Sequence, residues 1–279
     1  MSAKEEKIIE AVASKQLDLK KIEHLFAKGG DPNSLSEDGD CLFSDCIFAA
    51  YDRQHDLLPL LKLFIDYGLD ADYFAQSIIT NLKYIHSPDT DICELVKVLL
   101  ENTGEKIDLA DAREEIMTDQ YFLNDEKGFM TFKALLAILN AYDNDQDYKQ
   151  IGSCEKIIDQ TVRSLNIKGD LRMTAADRFL LEKDDENGVL IGCDKDILVI
   201  KDQGEIYIDD SLQLKNDNGS AADLEDKIGG RQIRQITFRK EAGSFGTFMA
   251  AYDPCITFDD GSLIVFKTGP EWVISYEER

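Results

Sequence analysis

Between Lys4 and about Asn166 the apolar residues recur three and four positions apart, as in Ile8, Ile9 and Val12 and again in Leu19, Ile22, Leu25 and Phe26. That spacing lines one face of a helix. It predicts a helical first half, with helices continuing through Ile157, Ile158, Val162 and Leu165. Beyond Val189 the pattern shortens to alternating or wholly apolar runs, the mark of strands. These runs are Val189–Cys193, Ile197–Ile200, Glu205–Ile208, Ile233–Phe238, Thr247–Tyr252, Cys255–Phe258, Leu263–Phe266 and Trp272–Tyr276. Arg172–Gly188 lies between the two regimes, reads as opening with a short helix, and ends in the charged run Glu182–Gly188, which cannot bury itself. Two domains are expected, helical over residues 1–170 and antiparallel β over 185–279, an α+β multidomain chain.

The helical half repeats itself. Leu25-Phe-Ala-Lys-Gly-Gly-Asp-Pro-Asn33 returns as Phe64-Ile-Asp-Tyr-Gly-Leu-Asp-Ala-Asp72, and more loosely as Leu99–Gly104 followed by Ile107 and Asp108. Each copy reads as a helix end that offers two apolar residues to the core, then stops at or near a left-handed glycine (Gly30, Gly68 or Gly104). These residues resemble the end of an ankyrin repeat, and Asp38-Gly-Asp-Cys-Leu-Phe43 stands where that family opens its next repeat. Cys41 and Leu42 replace the family's Thr and Pro, and a fourth copy is extrapolated to Phe132–Tyr142. The resemblance implies an N-terminal α-solenoid of ankyrin-like helix pairs, capped by Ala3–Lys15. In such a stack no pair buries its apolar face alone. It also implies a recognition face made of inter-repeat turns and inner helices, presenting Asp31, Asp38, Asp40, Asp70 and Asp72 to a partner.

In the second half the clearest turn is Asp260-Gly261, expected as a two-residue hairpin that sets Phe258 opposite Leu263 and Ile256 opposite Val265. Both faces of this hairpin are substantially apolar, so it wants cover on both sides, as in a compact barrel or a sheet packed on the preceding helices. A second hairpin is expected at Gln203-Gly204. The run Ile228–Phe238 followed by Ile256–Leu263 resembles small β-domains of bacterial immunity-type and accessory proteins, and its residues explain turns rather than chemistry.

Charge narrows the function further. The chain of 279 residues carries 55 acidic and 31 basic side chains, a net charge of −24. Residues 1–150 hold 30 acids against 15 bases, and residues 151–279 hold 25 against 16. Such a field repels phosphate backbones and anionic lipid and favours a basic protein, so no nucleic acid and no membrane partner is expected. No apolar run is long enough to span a bilayer and the start lacks a signal peptide's apolar middle; with six scattered cysteines, this points to a cytoplasmic protein with reduced thiols.

Catalytic and metal signatures are missing from the pattern. His24, His55 and His86 do not pair at ligand spacing, so no metal is expected. Asp143-Asn-Asp-Gln-Asp147 begins like a calcium loop, but Tyr148 stands where the sharp turn needs Gly and Cys154 where the bidentate Glu belongs. Gly243–Gly246 and Ile228–Gly230 are neither phosphate cradles nor dinucleotide fingerprints, and no nucleophile elbow appears, so no cofactor is expected. The expected function is a non-enzymatic protein-interaction module, in sharper form an immunity-type protein that neutralises a basic toxin. The competing expectations are a hydrolase with a site between the domains around Arg231, Arg234 and Arg239, and a scaffold within a larger assembly.

Overall fold

The computed structural model describes residues 1–85, 90–118, 126–168, 171–175, 178–181, 188–201, 206–209, 212, 214, 222–240, 252–267 and 272–278. Ser2 starts the first helix with a capping box: its side chain accepts from the Lys4 N–H, and Glu5 accepts from the Ser2 N–H at 2.8 Å. Helix α1 spans Ala3–Val12 and α2 spans Leu19–Ala27, with Asp18 capping α2 through the Lys21 N–H. There follow α3 (Leu42–Ala49), α4 (Leu58–Asp66), α5 (Ala71–Asn81), α6 (Ile92–Glu101), α7 (Ala110–Thr118) and α8 (Glu126–Asp143). Asp70 and Asp91 cap α5 and α6 by the same side-chain acceptance, which satisfies backbone donors that a helix start leaves open.

The apolar faces then dictate who packs on whom. Helices α1, α3, α5 and α7 touch in succession, α2, α4 and α6 do the same, and α1 also packs on α2 and α5 on α6. Phe64 of α4 is a junction of this packing, with the Phe26 ring edge-on at 4.9 Å and the Phe43 ring at 5.2 Å. Gly68 has φ +90° and ends α4: its N–H donates to the Ile65 carbonyl, and the Leu69 N–H donates to the Phe64 carbonyl. The same pair of bonds closes α2, from Gly29 to Phe26 and from Gly30 to Leu25. The left-handed residue of the first turn is therefore Gly29 rather than Gly30, and Gly104 does not have a positive φ.

The sheet region begins earlier than the hydrophobic spacing suggested. Residues Cys154–Ile157 form a 3-10 turn and Ser164–Lys168 the strand β2, so the helical reading of Ile157, Ile158, Val162 and Leu165 is corrected. Arg172–Gly188 does not open with a helix either, since Leu171–Ala175 (β3) and Arg178–Leu181 (β4) pair antiparallel. The other strands are β1 (Ile151–Gly152), β5 (Gly188–Gly192), β6 (Ile197–Lys201), β7 (Ile206–Asp209), β8 (Ile233–Lys240), β9 (Tyr252–Phe258), β10 (Leu263–Lys267) and β11 (Trp272–Glu277). A short helix α9, Ala222–Ile228, precedes β8. One antiparallel sheet has the order β1-β7-β6-β5-β2 and the other β3-β4-β11-β10-β9-β8.

Both sheets contribute to one core that includes Leu165, Ile191, Ile200, Ile256, Phe266 and Trp272. The β9–β10 hairpin closes through three residues, not two: the Gly261 N–H donates to the Phe258 carbonyl, the Phe258 N–H donates to the Ser262 carbonyl, and Gly261 has φ +83°. This is a type I turn followed by a left-handed glycine. The register is consequently Leu263 opposite Thr257, Ile264 opposite Ile256 and Val265 opposite Cys255, one residue away from the expectation. The slip turns Ile264 and Phe266 into the large core, while Cys255, Leu263 and Val265 form a second buried cluster, so both faces are covered as anticipated. The expected turn at Gln203-Gly204, the charged run Glu182–Glu186, and all of Thr247–Tyr252 except Tyr252 lie outside the described residues.

The chain divides into two compact units, Met1–Phe122 with Leu139–Gln146, and Leu123–Ile138 with Asp147–Arg279. The division falls inside α8. No helix among the described residues is long and apolar enough to cross a membrane.

Candidate functional site

The chain between α2 and α3 folds back as a small loop, held by the Leu35–Cys41 bridge and by the Ser36 N–H donating to the Asp40 carbonyl at 2.8 Å. Its tip carries Asp38, exposed, and Gly39; Asp40 is half-buried on the returning arm. Cys41 then caps α3, its sulfur accepting the Ser44 N–H at 3.4 Å. One turn into α3 stands Asp45, the only charged residue between Cys41 and Ala50. Its buried Oδ2 has no hydrogen-bond partner. Burial, and then the charges of Asp40 and Asp38, push the Asp45 carboxyl up to about 6, against a smaller opposing pull from the N-terminal amine.

One turn further along the same side of α3 lies Phe48, 40% exposed, with its ring 4.9 Å from that of Tyr84. Tyr84 ends the 3-10 turn Leu82–Tyr84 that continues α5. Lys83 Nζ lies 5.4 Å from the Tyr84 ring centroid and 2.9 Å from Glu115 Oε1 of α7. The buried oxygen of Asp45 thus lacks a donor while Asp38 and Asp40 add negative charge nearby, a concentration of charge that attracts cations through the field rather than by direct contact with that oxygen.

The five aspartates expected to bind a partner divide into two groups. Asp38 and Asp40 belong to the acidic cluster with Asp45. Asp31, Asp70 and Asp72 are engaged in holding successive turns together. Asp31 accepts the Asn33 N–H at 2.9 Å, and its own N–H donates to Glu5 at 2.9 Å. Asp70 caps α5, while its N–H donates to Asn33 Oδ1 at 2.7 Å and the Asn33 amide donates to the Gly68 carbonyl at 2.8 Å. Asp72 Oδ1 accepts the Gly104 and Glu105 N–H groups at 2.8 and 3.2 Å. Each turn is thereby stitched to the next. Glu5 is buried; burial pushes its carboxyl up, but hydrogen bonds from Ser2 and the Asp31 N–H outweigh that and leave it below the usual range.

Asp45, Phe48 and Tyr84 were not singled out in the sequence. The available signal was a single charge within an otherwise uncharged ten-residue run, with an aromatic residue one helical turn later.

Among its described residues the second unit offers no matching concentration of unpaired groups. Arg231 pairs with Asp260 at 2.6 Å and also contacts Ser262 and the Tyr276 hydroxyl; Arg234 pairs with Asp159 at 2.7 Å and Arg239 with Glu277 at 3.2 Å. The three arginines thus answer three separate acids. Of the histidines, His55 contacts the Ser14 carbonyl at 2.9 Å and His86 lies outside the described residues. No group of three or more His, Cys, Asp or Glu among the described residues is placed to hold a metal ion. The Asp143–Asp147 segment is a helix end: Asp143 pairs with Arg113, and Lys106 reaches the Asp143 carbonyl and Asp145, each at 2.7 Å.

All six cysteines are unbridged. Burial pushes the Cys255 thiol up to about 11 and the Cys193 thiol up to about 12, which makes them poor nucleophiles at neutral pH. No family model, no curated protein and no solved structure matches this chain.

Proposed function

We propose that this chain is a non-enzymatic protein-interaction module in which an ankyrin-like helical stack binds a basic protein, the antiparallel β unit completing the molecule. Support for the stack comes from the helix contacts, with odd-numbered helices in one succession and even-numbered in another, and from the matching turns at Gly29 and Gly68. A pair of short helices gains most of its stability from such neighbours. The observation that carries the binding reading is Asp45: a carboxylate without a donor for its inner oxygen, held next to Asp38 and Asp40. A positive partner relieves that like-charge repulsion, and nothing within the cluster does so.

In its sharper form the partner is a basic toxin and the protein its immunity factor, because an acidic surface can cover a site built for phosphates. The individually paired arginines at 231, 234 and 239 favour this reading over a hydrolase centred on them. The test is affinity capture from the native cell with the wild-type chain and with an Asp38→Asn, Asp40→Asn, Asp45→Asn triple variant. The reading expects a basic protein retained by the wild type and lost by the variant. An acidic partner, or equal retention by both, contradicts it.

A further inference from the structure

We propose that Asp38 is a site of backbone modification: its carboxyl condenses with the Gly39 nitrogen to a succinimide, and water reopens the ring to leave residue 38 as isoaspartate. This is independent of the reading of the protein as a binder of a basic partner.

The chain holds two Asp-Gly pairs, Asp38-Gly39 and Asp260-Gly261, and the fold sets both in the same turn. In the β9–β10 hairpin the Gly261 N–H donates to the Phe258 carbonyl at 3.1 Å, and the Phe258 N–H to the Ser262 carbonyl at 2.9 Å. In the loop before α3 the Gly39 N–H donates to the Ser36 carbonyl at 3.2 Å, and the Ser36 N–H to the Asp40 carbonyl at 2.8 Å. Both glycines are left-handed, at φ +83° and +90°. Each Asp therefore precedes the left-handed glycine of a three-residue hairpin turn, and neither glycine has a side chain to hinder approach to its nitrogen.

The side chains separate the two. Asp260 Oδ1 accepts the Ser262 N–H at 3.0 Å and the Ser262 hydroxyl at 2.5 Å, while its Oδ2 pairs with Arg231 at 2.6 Å. The Ser262 hydroxyl foremost, and Arg231 after it, hold this carboxyl below the usual carboxylate range. A carboxyl gripped in this way is kept from turning onto the Gly261 nitrogen and from carrying the proton that lets its oxygen leave as water. In the first loop the matching N–H, that of Asp40, donates to the Ser36 hydroxyl at 3.0 Å instead. Ser36 thus takes the place that Asp260 fills in the other turn, and Asp38 is exposed, with no hydrogen bond or ion pair to its carboxylate among the described residues. Its side chain is free to reach the alignment that ring closure requires.

In the closing step the Gly39 nitrogen bonds to Asp38 Cγ, and the carboxyl oxygen leaves as water with the proton from that nitrogen. Water then adds at Cγ, restoring Asp, or at the main-chain carbonyl, breaking its bond to the Gly39 nitrogen and leaving the chain linked through Cβ. No oxidant takes part, and one negative charge is kept. The added backbone carbon falls between Ser36 and Asp40, the residues whose N–H and carbonyl close the loop. The freed α-carboxylate is the chemistry that an isoaspartyl methyltransferase esterifies.

The full chain is incubated at physiological temperature in mildly acidic buffer, folded and in denaturing urea. Isoaspartate is located by electron-transfer fragmentation of the peptides carrying residues 38 and 260. The expected result is accumulation at 38 and not at 260 in the folded chain, without change of peptide mass. In urea, where both turns are gone, the two sites are expected to isomerise alike. Asp38→Glu keeps the charge but requires a larger ring, and is expected to abolish the signal at 38. Equal accumulation at 38 and 260 in the folded chain, accumulation at 260 alone, or no isoaspartate at 38 overturns the proposal while leaving the basic-partner reading intact.

Discussion

A half-buried carboxylate beside two others is strained electrostatically, and Asp45 shows how such strain reads out in stability. Its ordinary value of 3.8 is raised to about 6 in the fold, so the folded chain holds the proton more firmly than the unfolded one. The Asp45 contribution to stability is complete below about pH 4 and is lost as the pH rises through about 6. Asp45→Asn removes the ionisation. After allowance for solvent screening at this partly exposed site, it should stabilise the fold by about 1 kcal/mol at pH 8 relative to pH 4. Urea melts of wild type and variant at the two pH values check this; a difference that does not change with pH contradicts it.

Asn33 has the opposite character. Its amide both donates to the Gly68 carbonyl and accepts from the Asp70 N–H, joining two turns through one side chain. Asn33→Ala should cost about 1–2 kcal/mol, because two backbone groups lose their partner at once. Loss of less than about 0.5 kcal/mol in a denaturant melt contradicts the stitching role. In the sequence Asn33 was visible only as the end of a repeat motif. Its hydrogen bonds cross 35 and 37 positions and leave no trace in local periodicity.

The elements were legible where their pattern had a single solution. Strands β5, β6, β10 and β11 coincide closely with apolar runs read from the chain: the first three are short runs buried on both faces, and β11 alternates between buried and half-buried positions, both strand signatures at that length. Strand β2 was misread because Ile157, Val162 and Leu165 imitate helical spacing while lying in a 3-10 turn, a connecting segment and a strand. Helix α9 offers only Leu224 and Ile228 to the core from a polar surround, too weak a stripe to announce itself.

At the β9–β10 turn, Asp-Gly is compatible with a two-residue loop and with a three-residue loop ending in a left-handed glycine. The core decides between them, since only the observed register places Ile264 and Phe266 beside Ile256 and Phe258. Gly261, at φ +83°, therefore carries the register. Gly261→Ala should destabilise the β unit by about 1 kcal/mol, whereas Gly261→Asn, which tolerates this backbone region, should cost less. Equal costs in thermal melts contradict a left-handed requirement at this position.

Across the whole chain, charge is the property that both the sequence and the structure bring to bear on function. The excess of acids was plain from composition, yet composition does not distinguish aspartates that tie turns together from those left facing solvent. Asp70 and Asp72 were indistinguishable from Asp38 and Asp40 until their hydrogen bonds were known. The local density of negative charge at Asp38, Asp40 and Asp45 arises from a folded loop meeting a helix, which no linear motif encodes.

Attraction between a surface of this charge and a basic protein acts before contact and is screened by salt over about 10 Å at 0.1 M. The decisive measurement is the association rate with the captured partner, followed by stopped flow from about 50 mM to about 500 mM NaCl. The account predicts a roughly tenfold or greater fall, largely removed in the Asp38→Asn, Asp40→Asn, Asp45→Asn triple variant. A rate that stays flat with salt, or falls equally in wild type and variant, contradicts it.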